Sequence, residues 1–281
     1  MTQEHLGTGA DLSGRVAIVT GAGKGIGRAC AIELAARGAR VLVNNRRHAG
    51  EADADTSAAQ VVAEIEAAGG QALANWDAVD APGAGERIVA QAVARCGRLD
   101  AVVANAALSQ ASTFHKQSLD DFLRVFNVGF LGSLQLVHAA WPLMRAQGYG
   151  RVVFTSSSAG RYGNHGLGAY AASKGAIEML MRSLAAEGRS SGIVVNAVSP
   201  YATTQMIRDH LPAALAERLT PEAIAPVVAW MASEGCSARG EVVVTGGGRH
   251  RLAYTVETEG VSEPDMEHAL ARLREQPAHA H

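Results

Sequence analysis

Short apolar runs alternate along the chain with longer stretches in which apolar residues recur at helical spacing. The short runs are rich in valine, alanine and leucine, which predicts buried strands, and the longer stretches predict helices. Strands are predicted at residues 15–20, 40–44, 71–75, 99–104, 151–155, 193–197 and 241–245, and helices at 25–37, 57–68, 85–95, 119–145, 169–189 and near 221–233. Strands that alternate with helices indicate βαβ units, so we expect an α/β fold with a doubly wound parallel sheet covered by helices on both faces.

The alternating pattern runs without a linker until residue 249. We therefore expect one domain over residues 12–248 and a C-terminal extension over residues 249–281. The extension carries two prolines and one short helical pattern near residues 264–274.

Composition excludes several classes of function. The chain has 25 basic and 27 acidic residues, a net charge of −2, which argues against a nucleic-acid partner. Its three cysteines are scattered, with no spacing typical of disulfide frameworks or metal sites, so we expect no metal and a reducing, cytoplasmic location. Residues 1–14 lack the apolar core of a signal peptide, and no apolar run reaches the ~18 residues of a membrane span, so no membrane partner is expected.

A glycine-rich turn follows the first predicted strand and reads Thr20-Gly21-Ala22-Gly23-Lys24-Gly25-Ile26-Gly27. Glycine allows a sharp turn and close approach of the backbone to a pyrophosphate, and the N-terminus of the next helix favours an anion. The spacing is GxxxGxG, and its position between a strand and a helix predicts dinucleotide binding. The alternative is a tight turn without a ligand.

The end of the second predicted strand bears on the choice of dinucleotide. NAD enzymes commonly have an acidic residue there to bind the adenine ribose, whereas this chain has Asn45 followed by Arg46. Arg46 and Lys24 are cations able to bind a 2′-phosphate, which predicts NADP as the preferred cofactor. The alternative is that the arginines are solvated loop residues and the cofactor is NAD.

Candidate chemistry lies in one predicted helix, where Tyr170 precedes Lys174 by four residues. Residues at this spacing share a helix face, so the phenol and the ammonium converge. A nearby cation favours the phenolate, so we expect Lys174 to lower the pKa of Tyr170. Tyr170 is therefore a candidate to exchange a proton with an alcohol or a carbonyl group.

Taken together, these motifs resemble the short-chain dehydrogenase/reductase family. The shared elements, in the same order over residues 12–248, are the glycine-rich turn, Asn105-Ala106, Asn127, Ser157 and the Tyr170/Lys174 pair. Within that family the chain is most similar to the hydroxyacyl-CoA dehydrogenase domain of the peroxisomal multifunctional β-oxidation enzyme. The segments that carry this likeness are residues 140–141, 149–151, 162–164, 184–189 and 225–227. The resemblance implies a single Rossmann-type domain.

The resemblance also implies roles for the catalytic residues. Tyr170 is expected to be the acid/base and Ser157 to donate a hydrogen bond to the substrate oxygen. Lys174 is expected to hold the nicotinamide ribose, and Asn127 to anchor a water molecule that relays protons to Lys174.

Further cofactor contacts follow from the resemblance. Asp77 is expected at the adenine, Asn105 and Ala106 beside the glycine-rich turn, and Thr203 at the carboxamide. Two motifs depart from the family pattern. Its Asn-Asn-Ala-Gly is Ala104-Asn105-Ala106-Ala107 here, and its Pro-Gly is Pro200-Tyr201, which places a tyrosine ring near the nicotinamide.

These expectations leave two classes of function open. The first is a NAD(P)-dependent oxidoreductase acting on a small-molecule alcohol or ketone, with a 3-hydroxyacyl thioester or a hydroxysteroid as substrate. The second is a catalytically silent NADP(H)-binding sensor or scaffold. The predicted helices at 119–145 and 169–189 are apolar on more than one face, which predicts a homo-oligomer, a tetramer or a dimer.

Overall fold

The computed structural model describes residues 10–201 and 219–280, and its elements follow the predicted alternation. The strands of the large sheet are β1 Val16–Thr20, β2 Arg40–Asn44, β3 Gln71–Asn75, β4 Ala101–Ala104, β5 Gly150–Thr155, β6 Ile193–Pro200, β7 Val242–Gly246 and β8 Arg249–Ala253. The helices associated with them are α1 Gly25–Ala36, α2 Ser57–Ala67, α3 Ala84–Cys96, α4 Leu119–Phe126, α5 Gly132–Gln147, α6 Ser158–Tyr162, α7 Gly168–Gly188 and α8 Ala225–Ala232.

The strands are arranged in the order β3-β2-β1-β4-β5-β6-β7-β8, and β1 to β7 are parallel. Helix α1 packs against α2 and α8, whereas α3 packs against α5 and α4 packs against α7. Because both faces of the sheet are covered, its central strands are buried along their whole length and carry mainly valine and alanine. The predicted doubly wound α/β fold is confirmed.

The chain reverses direction of winding at β1, which has β2 on one side and β4 on the other. In sheets of this type, ligands bind at the carboxyl ends of the strands beside this switch point. The glycine-rich turn leaves β1 at this edge, so the fold places the predicted dinucleotide site where a crevice is expected.

The helix predicted over residues 119–145 is interrupted, so its prediction as one regular helix is wrong. A π-helical turn, Asn127–Leu131, separates α4 from α5. An 18-residue window of the stretch Leu119–Gln147 has a mean hydropathy of 1.2, so the stretch is long and apolar enough to cross a membrane, a property shared by buried core helices. In this structure it packs against α3 and α7.

Two elements, α6 and β8, are not predicted by the sequence pattern. Helix α6 has only five residues and is too short to show periodicity. Strand β8 is mostly exposed and polar, so it lacks the apolar signal of the buried strands. The predicted helix near 221–233 begins with a 3₁₀ turn, Pro221–Ala223, before α8.

Contacts group the described residues up to Arg251 into one compact unit and the described residues from Leu252 onward into another. The second unit contains β9 Val256–Thr258, α9 Met266–Glu275 and β10 Ala278–Ala280, with β9 and β10 paired antiparallel. Asp265 caps α9 by accepting two backbone hydrogen bonds at 3.0 Å. The short predicted helix is therefore present, together with two strands that the sequence did not indicate.

Candidate active site

The glycine-rich turn leads from β1 directly into α1. Gly21 and Gly25 have φ angles of 62° and 56°, in a region that side-chain-bearing residues rarely adopt. No neighbouring side chain or backbone among the described residues lies within 4 Å of the position that a Cβ on Gly25 would take, so the backbone there is open to a ligand. Lys24 is the N-cap residue but makes no capping bond, and the first turn of α1 has no acidic residue. The first N–H groups of α1 therefore fit a dinucleotide pyrophosphate.

The remaining glycines of the turn allow close backbone packing. A Cβ on Gly27 would lie 2.3 Å from the carbonyl oxygen of Gly21, and one on Gly21 would lie 2.8 Å from the Cα of Ala106. Ile26 is half-buried and packs against the core. Larger residues at either glycine would force the turn away from the loop after β4.

Asn105 joins the carboxyl ends of three strands. Its Nδ2 donates to the carbonyl oxygens of Thr20 and Gly21 at 3.0 and 3.3 Å, and its Oδ1 accepts from Thr155 Oγ1 at 3.3 Å. Thr20 Oγ1 in turn accepts the backbone N–H groups of Asn105 and Ala106 at 3.1 and 3.2 Å. The Asn105 amide is thus used to fix the shape of the turn.

Two arginines follow β2, and in the described residues one forms an ion pair and the other does not. Arg47 forms an ion pair with Asp53 at 2.5 Å, and its guanidinium lies 4.7 Å from the centre of the Trp76 ring. Arg46 is exposed and makes no ion pair with any residue of the described ranges. Asn45 donates to Ser57 Oγ at 2.8 Å. Among the described residues at this strand end, Arg46 is therefore the arginine without an ion pair.

Asp77 follows β3, and its carboxylate is bound by protein groups. It accepts from Arg87 Nε at 2.7 Å and from Asn75 Nδ2 at 3.1 Å, while its backbone carbonyl accepts from Asn44 Nδ2 at 2.9 Å. Asp77 therefore orders the loop after β3, and its contact with adenine stays a prediction.

Ser157, Tyr170 and Lys174 converge at the carboxyl end of β5. Ser157 precedes α6 and caps it, since its Oγ accepts the N–H of Ala159 at 3.2 Å. Tyr170 and Lys174 lie one turn apart on α7, with Lys174 Nζ 5.7 Å from the centre of the phenol ring. The lysine is only 1% exposed, and its Nζ donates to the carbonyl oxygen of Thr155 at 2.6 Å. Two helices and one strand thus hold the three side chains together.

Electrostatics at this site differ from the expectation in one respect. Burial raises the pKa of Tyr170, and the neighbouring Ser157 hydroxyl opposes this by lowering it. Burial also lowers the pKa of Lys174 to about 8. The pKa of Tyr170 therefore shifts in the direction opposite to the expected one, and the ammonium of Lys174 is directed at the Thr155 carbonyl. At neutral pH the phenol is therefore a proton donor.

Asn127 begins the π-helical turn between α4 and α5. Its carbonyl oxygen accepts the N–H of Gly132, one residue further along than in an α-helix. The turn packs tightly on α7, because a Cβ on Gly129 would lie 2.8 Å from Ser173 Oγ. Ser173 directly precedes Lys174, so the turn brings Asn127 to the catalytic helix. Such turns inside helices are frequent at functional sites.

Sequence reasoning missed a buried polar network behind Ser157. Arg161 Nη1 lies 2.5 Å from Glu178 Oε1, and the same oxygen accepts a short hydrogen bond from Ser156. Arg161 Nη2 donates to Ser199 Oγ at 2.9 Å. The spacing contained a signal, since Arg161 is four residues after Ser157 and Glu178 is four residues after Lys174.

Thr203 lies outside the described residues, which end at Tyr201 and resume at residue 219. Tyr201 is described, and its N–H donates to the Thr245 carbonyl oxygen at 2.7 Å. The residue is 40% exposed, and the Arg251 guanidinium lies 5.7 Å from the centre of its ring. The proximity of Tyr201 to a nicotinamide stays a prediction.

Comparison with known proteins agrees with these motifs. Residues 15–214 match the family model described as short chain dehydrogenase. The chain is 42% identical over 237 residues to the peroxisomal multifunctional enzyme type 2 of Mus musculus. That match covers 84% of this chain and 32% of the mouse protein, so the chain spans only part of that relative. The resemblance drawn from the motifs is confirmed.

Two solved structures share the fold over most of the chain. A short chain dehydrogenase from Mycobacterium avium has a TM-score of 0.84 and 32% identity, with 96% of this chain and 98% of that chain covered. A 7α-hydroxysteroid dehydrogenase, solved with NADH and 7-oxo glycochenodeoxycholic acid, has a TM-score of 0.77 and 28% identity. That match covers 85% of this chain and 96% of the dehydrogenase.

Proposed function

Because this chain belongs to the short-chain dehydrogenase family, we propose that it interconverts a secondary alcohol and a ketone with NADP(H), using Tyr170 as the acid/base. The observation that carries the proposal is the convergence of Ser157, Tyr170 and Lys174 at the carboxyl edge of the sheet that also bears the glycine-rich turn. When bound, the nicotinamide supplies or accepts the hydride.

The described residues account for the proton transfer. The buried phenol of Tyr170 is protonated at neutral pH and donates to the oxygen of a ketone as negative charge develops there. Ser157 donates a hydrogen bond to the same oxygen. In the oxidative direction Tyr170 accepts the proton of the alcohol, a step that becomes easier as pH rises toward the phenol's pKa. Lys174 binds the nicotinamide ribose, and Asn127 anchors the water that links Lys174 to solvent.

The preference for NADP(H) over NAD(H) rests on the end of β2. Arg46 is exposed and unpaired within the described ranges, and Lys24 is exposed at the start of α1. Asn45, which occupies the position of an acidic residue in many NAD enzymes, brings no charge to repel a 2′-phosphate. Guanidinium groups bind phosphate in a bidentate manner, so Arg46 is the main determinant of this preference.

The substrate is a secondary alcohol or ketone of either of two classes. The hydroxysteroid class is supported by the bound 7-oxo steroid of the structural relative. The 3-hydroxyacyl thioester class is supported by the motifs that the chain shares with the peroxisomal multifunctional enzymes.

We also propose that the chain forms a homo-oligomer through α4, α5 and α7. On these helices Leu123 is 43% exposed and Met179 is 54% exposed, beyond the stripes that pack on the sheet. Analytical ultracentrifugation is expected to show dimers or tetramers that Leu123→Glu with Met179→Glu dissociates. A monomer at all concentrations would reject this part of the proposal.

The enzymatic proposal is tested by NADPH oxidation against a panel containing a 3-oxoacyl thioester and a 7-oxo steroid. Tyr170→Phe is expected to lower kcat at least about 100-fold while leaving NADPH affinity within about twofold. Tyr254→Phe, which alters an exposed tyrosine of the second unit, is the matched control and is expected to be fully active. If NADPH binds but no member of the panel is reduced, the result favours the alternative hypothesis of a catalytically silent NADP(H)-binding protein.

A further inference from the structure

A depression lies at the opposite edge of the sheet from the catalytic residues. Its volume is about 530 Å³, and the charged and aromatic residues that line it are Tyr149, Arg151, Arg189, Glu234 and Arg239. It is formed where β5 and β6 begin, whereas Ser157 and Lys174 lie where β5 ends. The depression is therefore separate from the dinucleotide and catalytic site.

Arg151 is a buried cation without a buried counter-charge. The residue is 6% exposed, and its Nε and Nη1 donate to backbone carbonyl oxygens, those of Ser233 at 2.9 Å, Gly150 at 2.9 Å and Gly192 at 3.2 Å. Within the described part of the chain, Arg151 forms no ion pair and its Nη2 makes no hydrogen bond. Burial lowers the pKa of Arg151, which reflects the free-energy cost of enclosing this charge.

Tyr149 contributes a second unsatisfied group. Its ring lies between two guanidinium groups, with the Cζ of Arg15 at 4.0 Å and that of Arg151 at 4.2 Å from its centre. Its hydroxyl is enclosed and has no hydrogen-bond partner among the described residues. An enclosed hydroxyl without a partner is unfavourable, and such groups are rare in native structures.

The rim adds positive charge that the surrounding residues do not neutralise. Arg189 and Arg239 are exposed and form no ion pair with any residue in the two described ranges. The lining carboxylate, Glu234, is 77% exposed and is already paired with Arg15 at 2.9 Å. Arg239 lies close enough to Arg151 for the two like charges to repel each other. Of the described residues that line the depression, three are arginines and one is a carboxylate, Glu234, which is paired with Arg15.

We propose that this depression binds the phosphate or diphosphate group of a small molecule. The free Nη2 of Arg151 and the guanidinium groups of Arg189 and Arg239 supply the donors. Guanidinium groups match the geometry of phosphate oxygens and bind them in a bidentate manner, and a dianion neutralises the excess charge better than a single carboxylate does. The volume exceeds that of a phosphate group alone, so the ligand class includes metabolites that carry one.

Isothermal titration with pyrophosphate as the probe tests this assignment on the full chain. The double variant Arg189→Ala/Arg239→Ala changes two exposed side chains and is expected to weaken binding at least about tenfold. Tyr149→Phe removes only the enclosed, unpaired hydroxyl and is expected to change the affinity by less than about twofold without lowering the midpoint of urea unfolding. Arg95→Ala/Arg145→Ala removes two exposed arginines on α3 and α5 and is the charge-matched control, for which unchanged affinity is expected.

Pyrophosphate also suits the glycine-rich turn, so the Lys24→Ala/Arg46→Ala variant separates the two sites. Binding that survives in this variant and is lost in Arg189→Ala/Arg239→Ala supports the proposal. No saturable binding to the unaltered chain, or binding that follows Lys24 and Arg46 instead, overturns it. Pyrophosphate binding more tightly than inorganic phosphate assigns the site to a diphosphate-bearing metabolite, and equal affinities assign it to a single phosphate.

Discussion

Breaking the buried ion pair of Arg161 and Glu178 is expected to lower the free energy of unfolding strongly. The two side chains are 11% and 4% exposed. Replacing Glu178 by methionine leaves the guanidinium enclosed with no opposite charge, and removal of one partner of such a pair costs about 3–5 kcal/mol. Replacing Arg161 by methionine leaves the carboxylate in the same position, so a loss of similar size is expected.

The double variant Arg161→Met/Glu178→Met is expected to be more stable than either single variant. Apolar residues of similar length fill the space, and replacing a whole buried pair in this way is often close to neutral. The hydroxyls of Ser156 and Ser199 lose their partners, so a net cost of about 1–3 kcal/mol remains. The two single changes should therefore be far from additive.

Equilibrium urea unfolding followed by circular dichroism measures these differences, at several protein concentrations because an oligomer couples stability to concentration. Arg124→Met is the control, since Arg124 pairs with Asp121 at 3.0 Å with side chains 55% and 40% exposed. Its loss is expected to stay within about 1 kcal/mol. If Glu178→Met costs no more than the control, or if the single losses add in the double variant, the reasoning is refuted.

Three further predictions concern the candidate site. Burial lowers the pKa of Lys174 to about 8, so between about pH 8 and 10 the unfolded chain binds more protons than the folded chain does. The free energy of unfolding of the unaltered chain should therefore rise with pH over this range, relative to that of Lys174→Met. Urea unfolding of both proteins at about pH 7 and about pH 9.5 tests this, and a difference independent of pH contradicts it. Arg46→Ala is expected to weaken NADP⁺ binding about tenfold and to leave NAD⁺ binding unchanged, as measured by calorimetry. Arg47→Ala, the control, is expected to change neither affinity. Equal affinities for NADP⁺ and NAD⁺ that Arg46→Ala does not alter would contradict the preference for NADP⁺. Gly21→Ala and Gly25→Ala each force a side chain into positive φ at a cost of about 1–3 kcal/mol. Gly21→Ala should show the lower urea midpoint because its Cβ meets backbone at 2.8 Å, so equal midpoints would count against this packing.

The regular elements could be predicted from the sequence because their signal is local. The strands at residues 40–44 and 71–75 carry short apolar runs, and the structure has them at those bounds. The break at Asn127 could not be predicted, since a π-helical turn keeps the apolar spacing of the helices around it. Strands β8, β9 and β10 are exposed or short, so no buried face imposes a pattern on them.

For the candidate site, the sequence predicts which residues meet but not what surrounds them. The spacing of Tyr170 and Lys174 requires a shared helix face, and they do share one. Their burial depends on the packing of α6 and the π-helical turn against α7, and it reverses the expected effect on the pKa of Tyr170. The ion pair of Arg161 with Glu178 likewise depends on two helices whose relative position is a tertiary property.

The clamp formed by Asn105 has a consequence for the thermodynamics of dinucleotide association. One amide already links the ends of β1, β4 and β5 by hydrogen bonds, so the glycine-rich turn is preorganised. Little backbone conformational entropy is therefore lost there when the dinucleotide binds. The interactions between the glycine-rich turn and the dinucleotide then contribute to affinity and are not offset by the cost of ordering the backbone.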